Sequence, residues 1–76
     1  MRKEKSLAEL LLNEEGRVSA FFCDASMHRR LLDIGMTVGS KVACVGKSPF
    51  GDPCLYLVRG CRIAIRKSDA KDIIIE

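Results

Sequence analysis

The chain has 76 residues, 47% of them hydrophobic and 30% charged, which gives one domain with one small core and excludes an intrinsically disordered chain. No stretch approaches the roughly 20 apolar residues that span a bilayer, and Met1-Arg2-Lys3-Glu4-Lys5 opens no signal peptide, so direct membrane insertion is not expected and the expected location is the cytoplasm. The net charge of +3 lies in residues 39 to 76, with seven basic and four acidic side chains, and Phe21, Phe22, Phe50 and Tyr56 are the only aromatics, whereas a nucleic-acid binder of this size carries a denser basic cluster with aromatics between the charges.

Ser6 to Leu12 reads as a short helix, with Ser6 as its N-cap and Glu9 at the capping-box spacing. Asn13 to Gly16 is a turn. Arg17 to Cys23, rich in β-formers, is the first predicted strand. Asp24 then caps a second helix, Ala25 to Ile34. Met27, Leu31 and Ile34 fall on one face of it, and Ala25 and Leu32 are expected to widen that face. His28, Arg29, Arg30 and Asp33 fall mainly elsewhere. Gly35 ends the helix in the left-handed conformation that glycine accepts cheaply, and Met36 is placed to fold back onto Leu31.

The remainder reads as β structure. Ser40 to Gly46 is a strand, and Lys47 to Pro53 is a loop with two prolines. Cys54 to Val58 and Cys61 to Lys67 are strands joined by the two-residue turn Arg59-Gly60. Ser68 to Lys71 is a turn, and Asp72 to Ile75 is the last strand. About five short strands and two short helices predict a mainly β fold, a small barrel whose closure hides the sheet edges.

The two-residue turn fixes the pairing of its strands. Val58 faces Cys61, Tyr56 faces Ile63, and Cys54 faces Ile65. Arg62 and Arg66 cannot be buried cheaply. Cys54, Tyr56, Val58, Cys61, Ile63 and Ile65 are therefore expected inside, and Cys54 and Cys61 are expected to be buried thiols. Leu55, Leu57 and Ala64 face outward. Two leucines on that face have two explanations: the N-terminal helix covers them, or they meet a partner protein or a second copy of the chain.

Cys23, Cys44, Cys54 and Cys61 contain no C-x-x-C pair, so they read as reduced thiols that pack as small hydrophobes rather than as a zinc site. His28, the single histidine, lies beside two arginines and reads as a solvated side chain. Asp24, Asp33 and Asp52 could hold a hard cation only by converging. No nucleophile-base pair and no phosphate-binding loop is present, so neither enzymatic activity nor a cofactor is expected. Arg29 and Arg30, on the wet side of the second helix, read either as a solubilising face or as a docking surface for an acidic patch.

Arg29-Arg30-Leu31-Leu32-Asp33-Ile34-Gly35-Met36, then Val38-Gly39-Ser40, is similar to a pattern of the FeoA family. Pro49, Gly51-Asp52-Pro53, Val58-x-Gly60, Ile63-Ala64-Ile65-Arg66, Asp69-Ala70 and Ile73-x-Ile75 continue it, so the resemblance covers residues 6 to 76. It implies an SH3-like barrel and a cytoplasmic accessory role beside FeoB, the membrane GTPase that carries ferrous iron. Asn13-Glu14-Glu15-Gly16 replaces the family's usual Pro-Gly type of turn, Val38 stands where proline is common, and Leu55 and Leu57 occupy positions that are often polar in relatives. The domain also resembles the C-terminal module of DtxR-type repressors, although only six residues precede the first predicted helix and a complete repressor is not expected. The alternatives to the transport role are a nucleic-acid-binding barrel and a stand-alone metal-binding module.

Overall fold

The computed structural model describes residues 5–76; the signal-peptide reading of Met1 to Glu4 lies outside them. The order is β1 (Lys5–Ser6), a 3₁₀ turn (Leu7–Glu9), β2 (Glu15–Phe21), α1 (Ala25–Asp33), β3 (Lys41–Lys47), β4 (Cys54–Val58), β5 (Cys61–Ile65), α2 (Lys67–Ala70) and β6 (Ile73–Ile75). The mainly β fold is as expected, with six strands rather than about five. They form one antiparallel sheet in the order β1-β6-β2-β3-β4-β5.

β2 bends the sheet. Its first residues, Glu15 to Arg17, pair with β3, and its later ones, Val18 to Phe21, pair with β6, with a register shift between Val18 and Ala20. A second shift lies between Cys44 and Gly46 of β3. Such bulges sharpen the local twist and bend, and here they roll the sheet around its inner face. The roll does not close into a ring. Among the described residues β1 and β5 end the sheet, and the edge of β5, expected to be hidden, has no strand beside it.

Helix α1 follows the predicted plan. Asp24 accepts a hydrogen bond from the Met27 amide at 2.7 Å, satisfying one of the free donors of the first turn. At the other end the amides of Gly35 and Met36 donate to the carbonyls of Leu32 and Leu31, both at 2.9 Å. This is the double closure that a left-handed residue permits. Gly35 has φ +92°, so the backbone selects glycine, and a Cβ there, 2.7 Å from Arg59 Cδ, would also make the arginine side chain move aside. Leu31 and Met36 are both fully buried, giving the expected hydrophobic contact. Ser40 Oγ accepts from the Thr37 amide at 3.0 Å and lies 3.2 Å from the Gly35 carbonyl oxygen, ready to donate to it.

The core gathers Leu7, Leu10, Val18, Met27, Leu31, Met36, Val42, Cys44, Cys54, Tyr56, Val58, Ile65, Ala70, Ile73 and Ile75. Two expectations about it need correction. The N-terminal segment is a single 3₁₀ turn, not a helix to Leu12. The expected capping box is present, with Glu9 accepting from the Ser6 amide at 2.8 Å, but Leu10 already has extended backbone. Leu7 and Leu10 drop into the core, and the Leu7 carbonyl accepts from the Tyr56 hydroxyl at 3.3 Å. Ala25 and Leu32 do not widen the buried face of α1; both are exposed. Asp52 is more than a turn residue, because its carboxylate accepts from the Lys67 amide at 2.8 Å and serves the first turn of α2.

Candidate interaction surfaces

The β4–β5 register is the one read from the turn: Cys54 pairs with Ile65, Leu55 with Ala64, Tyr56 with Ile63, Leu57 with Arg62 and Val58 with Cys61. On β4 the alternation is complete. Cys54, Tyr56 and Val58 are buried, and Leu55 and Leu57 are half-buried on the outer face. What partly covers the leucines is the sheet itself: Leu57 lies between Ala43 and Arg62, and Leu55 between Gly46 and Ala64. The 3₁₀ turn packs instead against β6 and α2, so an N-terminal cover for the leucines is overturned.

On β5 the inner face grades from buried Ile65 through half-buried Ile63 to exposed Cys61. Cys61 was expected inside. The register is right, but an inward-pointing side chain is buried only where something packs over it, and the open end of the sheet supplies nothing at the turn. The four cysteines are free thiols, with Cys44 and Cys54 buried and Cys23 half-buried. Burial pushes the Cys44 and Cys23 thiols above their ordinary value. Burial also pushes the Tyr56 hydroxyl far above the usual phenol range, helped by the adjacent Cys54 thiol. A thiol reagent should therefore modify Cys61 rapidly in the native protein and Cys44 and Cys54 only after unfolding. Slow native labelling of Cys61, followed residue by residue by mass spectrometry, would show that the end of β5 is covered in solution.

Arg29 and Arg30 are exposed on α1, whose opposite side sends Met27 and Leu31 into the core. Arg29 lines a shallow depression of about 450 Å³ with Ala25, His28, Leu32 and Asp33. Leu32, 46% exposed, is the large apolar residue of α1 that the sequence reading placed on the buried face. Five positions beyond Met27, it is turned well away from the buried stripe at 3.6 residues per turn, and that offset was the available signal. His28 is not freely solvated: it is half-buried and stacks on Phe21 with ring centroids 4.5 Å apart. The arginines and the two leucines occupy separate surfaces, because α1 covers the inner face of the roll and the leucines lie on the outer one. Asp24 and Asp52 are each engaged as backbone acceptors. Among the described residues no group of three or more His, Cys, Asp or Glu side chains could hold a metal ion, and no helix is long and apolar enough to cross a membrane.

A rolled six-stranded antiparallel sheet with two short helices defines a small SH3-like domain. The solved structures that it resembles sharpen this. An FeoA-like protein from Clostridium acetobutylicum is 33% identical, with a TM-score of 0.85 over 100% of this chain and 88% of that one. The Stenotrophomonas maltophilia FeoA, solved with zinc and described as a procaryotic SH3 domain protein, is 35% identical, with a TM-score of 0.79 over 93% and 88%. A manganese-dependent transcriptional repressor shares the fold at 17% identity, with a TM-score of 0.85 over 100% of this chain and 37% of that one. No curated protein matches the sequence. The FeoA domain model matches residues 5–76, and the chain belongs to the FeoA family.

Proposed function

We propose that this chain is a cytoplasmic accessory protein of bacterial ferrous-iron uptake that acts by binding the cytoplasmic part of an FeoB-type membrane GTPase. The observation that carries the reading is the family match over residues 5–76. The Stenotrophomonas relative is itself suggested as a ferrous iron transport activating factor. In this reading the chain contributes contacts and the partner contributes nucleotide chemistry. Two surfaces suit the task. Arg29 and Arg30, beside exposed Leu32 on α1, present directional donors for carboxylates, and Leu55 and Leu57 offer a half-buried apolar pair on β4.

Capture of the chain by an immobilised GTPase portion of the FeoB-type transporter from the same organism tests this. Capture is expected in at least one of the GDP-bound and GTP-analogue-bound states, and the double change Arg29→Glu with Arg30→Glu should weaken it by roughly tenfold or more, since two charge-assisted contacts turn repulsive. No capture in either nucleotide state would overturn the proposal.

A further inference from the structure

The turn between β4 and β5 settles which backbone groups of β5 are left over. Arg59 has φ 50° and Gly60 φ 81°, the pair of positive values that a type I′ turn needs. In such a hairpin the residues flanking the turn exchange both backbone hydrogen bonds, and every second pair repeats that arrangement. Val58 with Cys61, Tyr56 with Ile63 and Cys54 with Ile65 are therefore the bonded pairs. Arg62 and Ala64, between them, aim their N–H and C=O groups away from β4. Among the described residues no strand lies on that side, and none of the backbone hydrogen bonds outside the ladders reaches Arg62 or Ala64.

Two further observations describe what fits there. The inner face of β5 is uncovered at the turn end, with Cys61 exposed and Ile63 half-buried, so an added strand would gain apolar contact as well as hydrogen bonds. The segment around the edge is also one-sided in charge. Arg59, Arg62, Arg66 and Lys67 are all exposed, residues 59 to 67 include no acidic side chain, and none of the four basic groups forms an ion pair among the described residues. Asp52, the nearby acid, is already engaged by the Lys67 amide.

Charge decides between the candidate occupants. A second copy of the chain paired edge to edge would bring two such basic segments together, which is unfavourable. A nucleic acid would satisfy the charge but cannot continue a ladder of N–H and C=O groups. An extended acidic polypeptide satisfies both. We propose that β5 is a docking edge that takes an extended, acidic segment of a partner protein as an additional strand, with acidic side chains toward Arg62 and Arg66 and apolar ones over Cys61 and Ile63. The chemistry stands whether or not the partner is the transporter.

The probe is a synthetic seven-residue peptide of alternating glutamate and valine, blocked at both ends, titrated into the full ¹⁵N-labelled chain. In the free protein the Arg62 and Ala64 amides should exchange with solvent faster than those of Cys61, Ile63 and Ile65. The peptide should slow exchange at Arg62 and Ala64, while a lysine-valine peptide should not. Ala64→Pro removes only an outward donor and spares the β4 ladder; it should weaken peptide binding by about tenfold, the worth of about one backbone hydrogen bond. Arg62→Glu should weaken it similarly. Should Ala64→Pro fail to fold, N-methylated peptides decide with the unaltered chain: methylating one alternating set of amides should abolish binding, and methylating the other should leave it. The proposal is overturned if Ala64→Pro folds and binds equally, if both methylated peptides bind alike, if the lysine-valine peptide binds as well, or if β5 instead takes poly-uridylate with a steep salt dependence.

Discussion

Replacing Leu7 by alanine is expected to lower stability by about 2–5 kcal/mol, as much as truncating a core leucine of a long helix or strand. Leu7 lies in a single turn of 3₁₀ structure, yet it is fully buried with Leu10 and anchors the Tyr56 hydroxyl through its own carbonyl. Truncation leaves a cavity under that turn, and so few residues lie around it that little can collapse to fill it. Domains of this size hold roughly 5–10 kcal/mol in total, so the variant should lose much of its folded population at moderate urea. Leu12→Ala is the comparison. Leu12 is 52% exposed, and its loss should stay within about 0.5 kcal/mol, as for ordinary surface changes. Urea unfolding followed by circular dichroism reads both. Equal midpoints would mean that the N-terminal turn does not plug the core.

That turn also marks where the sequence stops being legible. Ser6 and Glu9 carry a genuine helix-start signal, and the capping box forms, but local spacing cannot say that Leu10 will be drawn into the core before the helix is a turn longer. The β4–β5 pairing, by contrast, was readable to the residue, because a two-residue turn leaves no freedom in register. The end of α1 was readable for a similar reason: Gly35 and Met36 satisfy the last carbonyls through contacts only a few residues long. Cys61 shows the limit. Alternation states which way a side chain points, and burial depends on what is packed over it, which here depends on whether the sheet closes. Closure is a property of bends at Ser19 and Val45; Gly46 beside the second is the one local cue, and neither glycine nor proline marks the first. On the candidate surfaces, Arg29 and Arg30 were identifiable as exposed from helical spacing alone. The half-burial of Leu55 and Leu57 was not, since it comes from the strands on either side.

The outer pair on β4 yields the second large effect. Changing Leu55 and Leu57 together to threonine is expected to weaken capture by the transporter's GTPase portion by roughly fivefold while the fold survives. Each leucine is partly buried in the free chain, so at most about a third of its surface remains to be covered at an interface, or about 1 kcal/mol for the pair. Threonine suits the test because its branched Cβ keeps β-propensity and the contacts with Ala43, Gly46 and Ala64 across the strands. The stability loss should be about 1–2 kcal/mol, well below that for Leu7→Ala, because no enclosed cavity is created on an outer face. Leu11→Thr serves as the control: Leu11 is 65% exposed on a different surface, and its loss should leave capture unchanged. Three measurements then separate the explanations. If capture falls and the melting temperature holds, β4 is part of the contact surface. Sedimentation of the chain alone shows whether the same pair also serves self-association. If capture is unchanged in the double variant, the leucines do no more than knit β3, β4 and β5 together, and Arg29 and Arg30 are left as the docking residues of the proposed contact.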